Sequence, residues 1–226
     1  TANLRKGSNA IGILLGNGFY NVQGGGRYRK LQISFGPPTL FFKLVVSYAD
    51  GTTKEILSGA DWKYSFSPII FNSIYGGEDY NACLEQKDWN KPEFNDSRWL
   101  PVVVQSAPKG ELRPQQAPSV KIMEHYGVKS VNKLSDKYVL DMGQNLSGFP
   151  EITVNGKRGT TIRLTVGESL NPDGTVSQKH TGSKHYYEYT LKGEGDDYSH
   201  PRLPYSGCTY IQAPGARLHA NQLHSP

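Results

Sequence analysis

Glu78 and Asp79, set in Tyr75-Gly76-Gly77-Glu78-Asp79-Tyr80, place two carboxyl groups side by side in a glycine-rich stretch flanked by tyrosines. Two acids can divide general-acid and general-base work between them. Neighbours on an extended chain project to opposite faces, however, so this spacing arranges the pair poorly for that task. The same residues suit a structural duty, in which Glu78 accepts backbone N–H groups and ties the loop down. Glu168, at a strand end, has the same structural reading. Leu15-Gly16-Asn17-Gly18 offers another chemistry, because a strand running into Gly-X-Gly is the first half of a dinucleotide fingerprint. That motif needs a helix next to receive the pyrophosphate, and Phe19-Tyr20-Asn21-Val22-Gln23 before three glycines does not start one. The six histidines, His125, His180, His185, His200, His219 and His224, have no close metal-ligand spacing. Ser-His-Asp chemistry lacks a nucleophile elbow. Cys83 and Cys208 form no Cys-X-X-Cys pair, and a bridge between them is left open.

The elements that must position these residues read as strands. Apolar and polar residues alternate over 138–142, 151–155 and 161–166, the period of half-buried strands. Turn chemistry at Asn145 to Gly148, Asn155 to Gly159 and Pro172-Asp173-Gly174 separates them, which predicts an antiparallel meander. Upstream, strands are expected over 10–15, 64–71, 74–75 and 102–104, with a hairpin joining 39–49 to 52–57 at Asp50-Gly51. The loop carrying Trp89 and Trp99 contains Asn95-Asp96-Ser97, which can cap a single helical turn. Three prolines and a glycine within 107–118 mark a domain junction, giving 1–112 and 113–226 as the two domains. Strands over 120–124, 186–191 and 210–212 complete the second. After Gln212 no periodicity remains, and a frayed tail is expected.

Composition agrees with an all-β chain. Twenty-five glycines and 14 prolines suit short strands and tight turns, and 14 Tyr, 8 Phe and 3 Trp supply large buried areas. The net charge of +5 invites a nucleic-acid reading, but 13 Lys and Arg stand against 10 Asp and Glu in residues 1–118, and 12 against 10 in 119–226. Only Arg27-Tyr28-Arg29-Lys30 clusters, so no basic face for nucleic acid is expected. No apolar run approaches the roughly 18–20 residues of a membrane span.

The phrase from Asp141 to Gly174 resembles the β-sandwich that precedes the catalytic barrel in bacterial α-L-rhamnosidases of glycoside hydrolase family 78. Asp141, Gly143, Gln144, Asn145, Gly148, Phe149, Gly159, Thr160, Glu168, Asp173 and Gly174 hold the places of that family's pattern. Leu14 to Val22 and Tyr75 to Ala82 resemble phrases of its preceding N-terminal domain, in the family's order. The chain departs from the pattern at Pro201-Arg202-Leu203-Pro204-Tyr205, where the family has an aromatic at the third place.

The resemblance implies an all-β fold of two antiparallel β-sandwich, jelly-roll-like domains, the first expected to be truncated at its N-terminus. It implies a parent protein that hydrolyses α-L-rhamnosides with inversion, using two carboxyl groups about 6.5–9.5 Å apart. Those groups belong to a helical barrel that is missing here, so no catalytic residue is carried over. The chain is then expected to be inactive alone and to act as scaffold or as a carbohydrate-binding module for a rhamnose-containing glycan. An intact small glycosidase and a purely structural interaction domain are the alternatives. A periplasmic or secreted location follows from the same resemblance. Some sandwich domains like these bind L-rhamnose through calcium, which takes six to eight oxygens. Asn17, Tyr20, Asn21, Glu78, Asp79 and Asn81 would supply directed polar groups, or ligands for a calcium ion, if their loops meet; Trp62 would supply a stacking face. Many relatives have Asp where this chain has Asn17, which removes a charge from any metal site.

Overall fold

The computed structural model describes residues 4–22, 27, 31–106, 110–111 and 113–215, with the backbone of 224–225. Among them the chain is all β; its one helical piece is a 3-10 turn at Ala82–Leu84. Two compact units interleave in sequence: residues 1–15, 38–66 and 86–120 form one, and 16–37, 67–85 and 121–226 the other. A cut at 112/113 does not coincide with these units, because strands Ile69–Ser73 and Gly77–Asn81 hydrogen-bond into a sheet made chiefly by the second half.

That sheet has seven strands, in the order Ser130–Lys133, Lys137–Gly148, Ser206–Pro214, Thr161–Gly167, Tyr186–Thr190, Gly77–Asn81 and Ile69–Ser73. Neighbours are antiparallel except Tyr186–Thr190 and Gly77–Asn81, which run parallel. Ile152–Asn155 pairs with Asp196–Ser199 in a separate two-stranded layer. Alternate residues of both layers are buried, and Ile152 and Val154 pack with Leu140, Ile162, Leu164, Val166, Tyr187 and Ile211 in one core. This is the two-layer sandwich that period-2 patterning demands of sheets with one apolar face.

The expected meander is corrected by this pairing. Lys137–Gly148 and Thr161–Gly167 both flank Ser206–Pro214, while Ile152–Asn155 leaves for the other layer. Turn residues fix where strands end; the need to cover two apolar faces decides which strands pair. The turn expected at Asn145 to Gly148 is instead part of one long strand: Leu146, Ser147 and Gly148 pair with Cys208, Gly207 and Ser206, after a bulge that shifts the register between Asp141 and Leu146. Residues 74–75 form a turn, and the strand begins at Gly77. Gly77 has φ of 97°, and a Cβ there would stand 1.9 Å from the Tyr186 carbonyl oxygen.

In the other unit, Lys43–Ser47 and Thr53–Leu57 form the expected hairpin. The Asp50 carboxylate fastens its turn by accepting from the Thr52 N–H and hydroxyl. Lys63–Tyr64 pairs with Leu100–Pro101. Trp89 stacks on Trp99, whose indole N–H donates to Gln86 at 2.7 Å. Residues 10–15, 102–104 and 120–124 carry strand-like composition but form no strand, and 64–71 is broken by an irregular stretch ahead of Ile69–Ser73. At 95–97 the Asn95 side chain accepts the Ser97 N–H, making a local turn with no helix after it.

Replacing Gly77 by Ala is expected to cost more than about 2 kcal/mol, since positive φ and a backbone clash coincide. Gly159→Ala, with φ of 81° but nothing within 4 Å of its Cβ, should cost only about 1 kcal/mol. Urea unfolding of the two variants checks the ordering.

Candidate functional site

The five residues of Gly77–Asn81 alternate between the two faces of the sheet. Inward, Glu78 is 2% exposed; its carboxylate accepts the Arg202 N–H at 3.0 and 3.2 Å and the Leu203 N–H at 3.1 Å. Desolvation pushes its pKa up to about 7, opposed by those two N–H groups and the Arg202 charge. Tyr80, next inward, stacks on Tyr189 at 5.7 Å and donates to Glu85 at 2.8 Å. Outward, Asp79 takes both of its bonds, at 2.5 and 2.6 Å, from the Arg27 guanidinium. Burial raises the Asp79 pKa despite that partner. Arg27 lies between the rings of Phe71 and Tyr186, at 4.3 and 3.5 Å from their centroids, and also donates to the carbonyls of Gly76 and Tyr186. Asn81 accepts the Cys83 N–H and caps the 3-10 turn.

The first glycine loop meets this strand through its neighbour. Asn72 is the register partner of Glu78. Its side-chain oxygen accepts the Asn17 N–H at 2.8 Å, and its carbonyl accepts the Asn17 side-chain amide at 3.1 Å. Asn21 closes the loop by donating to the Asn17 side-chain oxygen at 3.0 Å. Tyr20 donates to the Phe35 carbonyl and keeps an open ring, 44% exposed. Gly16, Gly18, Asn72, Ser73, Ile74, Leu203 and Pro204 line a cleft of about 220 Å³. Gly16 admits Leu203, whose side chain would lie 2.6 Å from a Cβ at that position.

Six of the seven expected site residues therefore gather in one unit. Trp62 belongs to the other, where it packs on Phe42 at 5.5 Å. Sequence reasoning missed Asn72, Leu203 and Arg27. The departure from the family pattern at 202–204 was the available signal for Leu203; nothing local marks the other two. Glu78 and Asp79 face opposite sides and make no acid/base pair. Nor does the set fit calcium, since the side-chain oxygens of Asn17, Glu78, Asp79 and Asn81 are each engaged by protein N–H groups. Among the described residues no group of three His, Cys, Asp or Glu side chains is placed to hold a metal. Cys83 and Cys208 are free thiols; Cys83 donates to the Leu191 carbonyl, and burial pushes the Cys208 thiol up to about 11.

Comparison with known proteins places two family models along the chain. The α-L-rhamnosidase N-terminal domain matches residues 1–124, and the bacterial α-L-rhamnosidase concanavalin-like domain matches 132–225. An α-L-rhamnosidase of Formosa agariphila is 34% identical over 226 residues, covering 95% of this chain and 24% of that protein. One from Streptomyces avermitilis is 34% identical over 225 residues, covering 95% and 21%. Among solved structures, the α-L-rhamnosidase from Dictyoglumus thermophilum superposes with a TM-score of 0.81 at 29% identity, covering 93% of this chain and 23% of that one. The Streptomyces avermitilis α-L-rhamnosidase complexed with L-rhamnose superposes with a TM-score of 0.77 at 33% identity, covering 83% and 19%. The chain spans about a quarter or less of the length of the curated relatives it matches. Among the described residues no helix is long and apolar enough to cross a membrane.

The Glu78 pKa sets a pH dependence. A carboxyl at about 7 in the folded state and 4.5 as a model group binds more protons folded than unfolded between those values. Stability therefore falls as pH rises from 4.5 to 7, by at most about 1.4 kcal/mol per pH unit, and levels off above. Glu78→Gln should flatten that slope in urea unfolding between pH 5 and pH 8, and an unchanged slope would contradict the assignment.

Proposed function

We propose, from the premise that this chain belongs to the bacterial α-L-rhamnosidase family, that it is the non-catalytic N-terminal portion of an inverting α-L-rhamnosidase. The observation that carries this reading is the pair of rhamnosidase domain models, in order, along nearly the whole chain. Inverting hydrolysis needs one carboxyl to protonate the leaving oxygen and another to activate water across the sugar. Glu78 and Asp79, the adjacent acids of the glycine-rich stretch, are bound to the Arg202 and Leu203 amides and to Arg27 respectively. The parent's two carboxyls are therefore assigned to the helical catalytic domain that would accompany this chain. Its substrate class is a rhamnose-containing glycan, a polymer degraded outside the cytoplasm because it cannot cross a membrane intact, which favours a periplasmic or secreted location.

Within that frame the chain acts as scaffold and as an L-rhamnose-binding module, with the 220 Å³ cleft as the sugar site. Leu203, Ile74 and Pro204 offer apolar walls to the deoxy sugar's methyl and C–H groups, and Asn72 and Ser73 offer polar edges. The purely structural alternative has its own support, because the polar side chains of Asn17, Glu78, Asp79 and Asn81 already serve protein partners.

Calorimetry separates these roles. The module predicts saturable heat with L-rhamnose, undiminished by a chelator and lost in Leu203→Trp, which fills the cleft; the scaffold alone predicts no heat. The purified chain should release no nitrophenol from an aryl α-L-rhamnoside. Turnover would establish an intact small glycosidase instead.

A further inference from the structure

Glu151 is 4% exposed, yet the two groups it holds are open to solvent. The Tyr198 hydroxyl donates to its Oε1 at 2.8 Å, and His125 sets Nδ1 3.1 Å from its Oε2. The Tyr198 residue is 57% exposed and the His125 side chain 56%. A buried carboxylate is costly without donors, so this one fixes both partners in place. With Nδ1 as the donor to Glu151, the His125 Nε2 lone pair is free for an outside donor. Beside them His200 lies edge-on to Tyr198 at 6.1 Å and stacks on Phe149 at 5.2 Å. His200 is itself held through Nδ1 to the Pro201 carbonyl at 2.8 Å. The result is an exposed phenol ring pinned at its hydroxyl and braced at its edge, next to an oriented imidazole.

We propose that this surface is a saccharide-binding platform, on which a pyranoside lays its C–H face against Tyr198 and donates a hydroxyl to His125 Nε2. A pinned ring loses little side-chain freedom on binding, which is what a weak, stacking-based ligand requires. The directed polar groups beside the ring suit a sugar, whose hydroxyls can answer them. An apolar protein segment would cover them without partners. None of these residues lines the cleft by Leu203, so the platform stands or falls apart from that site.

Saturation-transfer NMR on the purified 226-residue chain tests it, with methyl α-D-glucopyranoside and methyl β-D-galactopyranoside as probes, since neither carries the deoxy sugar's methyl group that the Leu203 cleft is proposed to take. At least one probe should receive saturation on its ring protons. Tyr198→Ala should weaken that binding about tenfold, while Tyr198→Phe, which keeps the ring, should stay within about threefold. Near-UV circular dichroism shows whether each variant keeps its packed core. Absence of transfer from both probes overturns the proposal and leaves the ring as a protein-contact surface. Transfer that survives Tyr198→Ala in a folded variant overturns it as well.

Discussion

A carboxylate taken out of water needs hydrogen-bond donors in fixed positions, and Glu78 finds two in the backbone of Arg202 and Leu203. That requirement joins parts of the chain more than a hundred residues apart. It holds the 202–203 segment against strand Gly77–Asn81 and so forms one wall of the cleft. The strand's other residues are similarly committed. Gly77 has no room for a side chain against Tyr186, Asp79 fixes Arg27, Tyr80 stacks on Tyr189 and Asn81 starts the 3-10 turn. Because Gly77–Asn81 runs parallel to Tyr186–Thr190, its partner could only arrive by a long connection, and the sequence between them supplies three more strands of the sheet, Ser130–Lys133, Lys137–Gly148 and Thr161–Gly167.

The outward face of the same strand carries a second constraint. Arg27 is 4% exposed, and its charge is offset by Asp79 and by the faces of Phe71 and Tyr186. Arg163 also lies over Tyr186 and pairs with Glu188 at 2.7 Å. Cations and anions thus alternate across the face, which gives most of the local charge a partner. Removing Asp79 would leave a buried guanidinium short of its main acceptor, a larger loss than any exposed ion pair here represents.

How much of this was legible beforehand depends on the range of the interaction. Alternation announced Thr161–Gly167, and Asp50-Gly51 announced its hairpin, because both signals are local. The opposed faces of Glu78 and Asp79 also followed from backbone geometry, as did the reading of Glu78 as an acceptor for backbone N–H groups. Pairing partners did not follow. Ile152–Asn155 looks like its neighbours in sequence yet joins the other layer, since burial of both faces is settled by the whole fold. Asn72 and Arg27 were invisible for the same reason: a polar residue's importance here lies in what the topology brings beside it. Residues 10–15 show the converse, a strand-like composition with no strand formed.

The claim on which the rest turns is that the Glu78 carboxylate itself holds the cleft wall, and amide hydrogen exchange at Arg202 and Leu203 reads this directly. Neither N–H has a strand partner in the structure, so any protection beyond a solvent-exposed loop comes from the side chain across from it. Exchange slowed to rates near those of Tyr187 and Ile211 in the core, and released in Glu78→Gln relative to them, is the predicted result. Exchange at unprotected rates in the unaltered chain would contradict it.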